Sequence, residues 1–98
     1  MENKEIDRLV AEKVMGWDDV WQPFFPSTEI KDAWLVVEKM KDMGLFFNVC
    51  PELDACHVDI WVQSDRHQGL NPYRTVHEKT APLAICKAAL AIVGVEVT

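Results

Sequence analysis

The chain reads as an α+β domain, an α/β sandwich in which a small antiparallel sheet of two to three strands is layered with three helices in the order ααβββα. Three observations predict it. Apolar residues recur at helical spacing in two stretches before Gly44; an alternating pattern replaces that spacing from Leu45 to Gln63; and the run TAPLAICKAALAIVG, Thr80 to Gly94, carries Lys87 as its only charge. A helix apolar almost all the way round has to be covered by other elements, so this last run is the core element. Its ends agree. Thr80 can cap the first free N–H groups, Pro82 falls in the first turn, Gly94 can take the left-handed closing conformation, and Val95 supplies an apolar contact, which predicts a helix over Ala81 to Val93.

The 98 residues suit one domain, 1–98, with 49% hydrophobic and 27% charged residues, as expected of an ordinary folded protein and not of a disordered tail. No apolar run reaches the roughly 18 residues that span a bilayer, and MENKEIDRLV lacks the core of a signal peptide, so no membrane association and a cytoplasmic location are expected. The odd count of cysteines, Cys50, Cys56 and Cys86, favours reduced thiols. A net charge of −6 with no basic patch argues against nucleic acid as a partner.

Taken in order, Ile6, Leu9, Val10 and Val14 make the apolar stripe of a helix from Lys4 to Met15, with Glu5, Arg8 and Glu12 on its other side; Gly16 ends it. Trp17, Trp21, Pro23, Phe24, Phe25 and Pro26 follow in a turn-rich connection. So many rings in so short a segment are expected to fold back over the core as a lid. Ser27 and Thr28 are both competent N-caps, and Glu29 suits the positive end of a helix dipole. Ile30, Ala33, Trp34, Val37 and Met40 then form the inward stripe of a second helix, with Lys31, Glu38, Lys39, Lys41 and Asp42 wet and Gly44 closing it.

Leu45 to Cys50 and Cys56 to Gln63 read as strands joined through Pro51, Glu52, Leu53, Asp54 and Ala55. In the second strand Cys56, Val58, Ile60 and Val62 point to the core. His57, Asp59, Trp61 and Gln63 point the other way, onto a face that is half solvated or covered by a second layer. Ser64 to Tyr73 is loop by composition, and Arg74 to Lys79 makes a short polar strand fit only for an edge.

Cys50, Cys56 and His57 are residue types that hold zinc, but there is no CxxC pair, and neighbours such as Cys56 and His57 point to opposite faces of a strand. No metal site and no cofactor are therefore expected. A nucleophile needs a base and an orienting group; Cys50 or Ser64 with a histidine and Asp59 can be drawn, yet no nucleophile elbow or signature surrounds them. The glycines stand singly, so no phosphate-binding loop is present. What is left is Trp61, flanked by His57 and Asp59 and near a loop bearing Arg66, His67 and Tyr73. An aromatic platform with nearby donors suits a planar or phosphorylated small molecule, or half of a symmetric interface. The competing use, favoured from sequence, covers Trp61 with the N-terminal helix or the aromatic linker.

The run PSTEIKDAWLVVEKM, Pro26 to Met40, the short β segment after it and TAPLAICKAAL, Thr80 to Leu90, resemble the phage ABA sandwich domain family, as does VAEKVMGW, Val10 to Trp17. Its members are small proteins of bacteriophages and prophages. The resemblance implies an α/β sandwich and brings no catalytic residues. The expected role is that of a non-catalytic binding module in the cytoplasm of a bacterial host, taking a host protein or a small host molecule. The alternative is a small hydrolase or metal-dependent enzyme that uses the histidines and cysteines of the strand region. A homodimer is also expected, because a sheet of two or three short strands leaves an unpaired edge that a twofold partner can cover, with Trp61 or Tyr73 at the interface.

Overall fold

The C-terminal run folds as its composition requires. In the computed structural model, which describes residues 2–18, 23–62 and 74–97, it forms the last of the helices, here called α3, over Ala81–Ile92. Thr80 Oγ1 accepts the Leu83 N–H at 3.4 Å, and at the other end Gly94 takes φ +88, which lets the Val95 N–H reach the Leu90 carbonyl at 2.8 Å. Ala84, Ile85, Cys86, Ala88, Ala89 and Leu90 are all sealed from solvent. Burial on every side follows from what surrounds the helix: strands on one side, the other helices on the rest.

The strands β1 (Leu45–Pro51), β2 (Cys56–Val62) and β3 (Arg74–Glu78) form one antiparallel sheet in the order β1-β2-β3. Glu52 and Ala55 close the first hairpin through a 2.8 Å N–H···O bond, which leaves Pro51 opposite Cys56 and Cys50 opposite His57. Cys56, Val58 and Ile60 are buried against α3, as the alternation requires, and Phe47, Val49 and Val76 pack beside them. Lys87, the one charge of α3, pairs with Glu78 of β3. Burial alone would push the Glu78 carboxyl up, but the hydrogen bonds and charges of Lys87 and Lys79 outweigh it and hold it below the usual carboxylate range.

The N-terminal helix differs in one respect from a plain amphipathic helix. α1 (Asn3–Leu9) runs into a π-helical turn, Val10–Val14, in which the Met15 N–H reaches back five residues to the Val10 carbonyl at 3.0 Å. The wider turn lets the adjacent Val10 and Ala11 face inward together with Val14, and all three are buried with Ile6. This helix packs on α3 and on α2 (Ile30–Asp42), not on the sheet.

Two expectations for α2 are corrected. Neither Ser27 nor Thr28 caps it; Glu29 stands at the N-cap with extended backbone and no side-chain cap bond. Ser27 serves another purpose: it is buried, its N–H donates to Asp7 Oδ1 at 2.8 Å, and its hydroxyl donates to the Asn3 carbonyl at 3.4 Å. Asp32 Oδ2 takes the Phe25 N–H at 2.9 Å. Turning Asp32 inward for that bond rotates the buried stripe onto Ala33, Val36 and Met40, and leaves Ile30 and Trp34 exposed at 53% and 50%. The aromatic lid exists in part. Phe24 and Pro26 are buried, and Phe24 meets Trp17 edge-on with ring centroids 4.8 Å apart, while Phe25 is left in water. Trp21 lies outside the described residues.

Candidate functional site

Alternation along β2 places His57, Asp59 and Trp61 on the face of the sheet turned away from α3, and the register extends that face across both neighbours. Cys50, His57 and His77 form one row across the strands; Asn48, Asp59 and Thr75 form the next; Phe46 and Trp61 stand beyond them. Among the described residues no helix packs here, since α2 and α3 contact each other as well as the strands and so share the opposite side. The face is half solvated.

Its polar groups are coupled. His57 Nδ1 lies 2.9 Å from Glu52 Oε1 and its Nε2 lies 3.7 Å from Asp59 Oδ2. The Thr75 hydroxyl donates to the other oxygen of the same aspartate, Oδ1, at 2.8 Å. The rings of His57 and His77 are tilted with centroids 5.6 Å apart. Among the described residues two overlapping sets bring donor atoms within 4.8 Å of one another: Cys50, His57 and Asp59, and Glu52, His57 and His77.

The three thiols divide by environment. Burial pushes the Cys86 thiol far up, with the charge of Asp7 adding to it, and burial raises Cys56 too, reinforced by Cys50 and Glu52. Both are poor thiolates. Cys50 alone is partly exposed on the outer face, its Sγ 3.9 Å from the Asn48 carbonyl.

Of the six residues expected at a site, the structure brings His57, Asp59 and Trp61 to one surface; Arg66, His67 and Tyr73 lie outside the described residues. The expectation that the N-terminal helix or the aromatic linker covers Trp61 is corrected as far as those elements are described. The helix makes no approach to the sheet, Trp17 and Phe24 join the core cluster, and Trp61 is only partly buried. Glu52, Asn48, Thr75 and His77 were not foreseen as neighbours of the site. Their signal is strand register: the length of the first hairpin loop sets it for Asn48 and Glu52, and the pairing of β2 with β3 sets it for Thr75 and His77.

Away from the sheet face, a concavity of about 490 Å³ opens between the N-terminal helix and the segment before α2, with Phe24 and Phe25 in its wall and Lys4, Arg8 and Thr28 among its lining residues. Asp7, also in its wall, is already occupied by the Ser27 N–H. It gathers no histidine or cysteine, so the sheet face is the richer in chemistry.

Comparison with known proteins agrees with the fold. The family model described as the phage ABA sandwich domain matches residues 8–90. A solved structure, a phage protein from Bacillus cereus ATCC 14579, superposes with a TM-score of 0.79 at 28% identity, over 100% of this chain and 93% of that one. No curated protein matches the chain.

Proposed function

Because the chain belongs to the phage ABA sandwich domain family, we propose that it is a phage- or prophage-derived accessory protein, a non-catalytic module that binds a host protein or a small host molecule in the bacterial cytoplasm on the outer face of its sheet. One observation carries this reading. Trp61 stands partly exposed beside Phe46 in a face where Asn48, His57, Asp59 and Thr75 supply donors and acceptors, and no described helix covers it. An aromatic anchor ringed by polar groups is the usual make-up of a recognition patch. The catalytic alternative has less support. The Cys50 thiol points to the Asn48 carbonyl, and among the described residues no hydrogen bond joins it to an imidazole that could activate it; Ser64 lies outside those residues.

Self-association belongs to the same proposal. Among the described residues β1 and β3 are the sheet edges, and β3 is short and polar, which leaves the seven-residue β1 as the edge a twofold partner pairs with.

The test sets the partly buried Trp61 against the exposed Trp34 on the helical side. The wild-type chain, Trp61→Ser and Trp34→Ser are each incubated with bacterial lysate, and the retained proteins and small molecules are identified by mass spectrometry. A ligand kept by the wild type and by Trp34→Ser but lost from Trp61→Ser is the expected result. Equal retention by both variants overturns the assignment of the face, and turnover of a defined substrate that depends on His57 overturns the non-catalytic reading. Sedimentation of the same three chains tests the dimer: a monomer mass at tens of micromolar for the wild type removes it.

A further inference from the structure

Sequence alone points away from a metal, because Cys56 and His57 are back to back. That much holds: Cys56 is buried in the core and His57 faces outward. The register, however, sets a different cysteine opposite His57. Cys50 is its cross-strand partner on β1, and Asp59 follows two residues along β2 on the same face.

The distances are those of an ion-binding arrangement. His57 Nε2 and Asp59 Oδ2 are 3.7 Å apart, too far for a hydrogen bond. Two such ligands, each about 2.0–2.1 Å from a tetrahedral ion, stand roughly 3.4 Å from one another, so a small shift accommodates an ion between them. The sulfur of Cys50 lies within 4.8 Å of a ring nitrogen of His57 and of a carboxylate oxygen of Asp59. The outward atoms of the same ligands are held as metal ligands usually are. Glu52 Oε1 takes His57 Nδ1 at 2.9 Å, which leaves Nε2 as the free lone pair, and Thr75 binds Asp59 Oδ1 at 2.8 Å, which leaves Oδ2 turned to the histidine. The overlapping set of Glu52, His57 and His77 is less suitable, since its carboxylate already sits at hydrogen-bond distance from the imidazole.

We propose that Cys50, His57 and Asp59 form a site for a divalent transition ion of the zinc class, with Glu52 and Thr75 orienting the histidine and the aspartate. The mixture of one thiolate, one imidazole and one carboxylate selects zinc or cobalt over magnesium and calcium, which prefer oxygen alone. Among the described residues three supply ligands, one fewer than the four of a closed structural zinc site. The proposal concerns the face described above but does not rest on that face having a macromolecular or organic ligand.

The full, untagged, reduced chain is titrated with Co²⁺ alone, and bound cobalt is then displaced with Zn²⁺. The expected result is one ion per chain with thiolate-to-cobalt charge-transfer absorption and the visible bands of a tetrahedral centre, and affinity that falls as protons compete for the ligands at lower pH. Cys50→Ser abolishes the charge-transfer band, Glu52→Gln weakens binding by about 10–100-fold, and His77→Ala leaves it unchanged. Asp59→Asn weakens it more than Glu52→Gln does and carries the test alone where circular dichroism shows that Cys50→Ser is misfolded. No saturable uptake at micromolar cobalt overturns the proposal. A charge-transfer band that survives Cys50→Ser overturns it, as does affinity lost in His77→Ala and kept in Asp59→Asn. A chain that takes up no cobalt yet loses its lysate ligand on Trp61→Ser refutes the ion and leaves the binding reading standing.

Discussion

The two faces of β2 are one residue apart in sequence and differ in almost everything else. Cys56, Val58 and Ile60 are dry and belong to the apolar core cluster around α3; His57, Asp59 and Trp61, interleaved with them, are partly wet, and the first two are tied to carboxylate and hydroxyl partners on the hairpin and β3. The inner set needs only volume and apolarity, so many residues would serve there. The outer set contributes little to burial, and nothing in folding requires an imidazole beside an aspartate on an exposed sheet. Residues that stability does not demand are where function is to be sought.

That contrast can be broken most severely from the helix side. A charge at Ala88 or Ala89, both fully buried, has no partner within the core. Ala88→Asp or Ala89→Asp is expected to cost several kcal/mol, enough to unfold a domain whose total stability is about 5–15 kcal/mol, and a thermal melt that matches the wild type would refute the buried placement of α3.

A milder pair of substitutions sharpens the comparison within one strand. Ile60→Ala removes a buried side chain and should lower stability by about 2–4 kcal/mol. Asp59→Asn, on the other face, should change it by no more than about 1 kcal/mol, since the Thr75 hydroxyl still has an acceptor. Urea denaturation midpoints of the two variants measure the difference; equal losses would mean that the outer face is structural.

The smallest effect is expected from Glu78, at the rim of the inner face. Its carboxyl titrates lower in the folded chain than in the unfolded one, so its contribution is fully present above the unfolded value of about 4.3 and fades as pH falls through the lower folded value. A partly exposed pair of this kind is worth about 0.5–1 kcal/mol. Glu78→Gln should therefore lower the urea midpoint slightly near neutral pH, and the gap between wild type and variant should start to narrow below about pH 4.3 and close once pH has fallen past the lower folded value. A gap that persists in acid would assign the loss to packing instead.

Much of the fold is legible in the residues because local signals and global packing agree: the cap at Thr80, the left-handed Gly94 and the alternation of β2 each say the same thing twice. The phase of α2 was not, because Asp32 turns inward to hold the Phe25 N–H, a bond to a residue outside the helix that no periodicity reveals. The site was half legible. Alternation assigns His57, Asp59 and Trp61 to one face, but a connection running from Pro51 to Ala55 would set Cys50 opposite Cys56. The observed pairing of Pro51 with Cys56 shortens the loop by one residue and brings Cys50 to His57 instead. One residue of loop length separates a cysteine beside the core from a candidate ligand.

The position of α3 in the chain also bears on how the protein is made. Every surface it covers, from the N-terminal helix through α2 to all three strands, is built from residues that precede it. On a ribosome adding about 5–20 residues per second, the meander and α2 emerge with Val58, Ile60 and Met40 uncovered, and they stay so until residues 81–92 clear the exit tunnel. The nascent chain is thus an apolar sheet waiting for its lid. A message cut short before α3 would yield a product for chaperones and proteases, and translation to that point is what commits the chain to its native state.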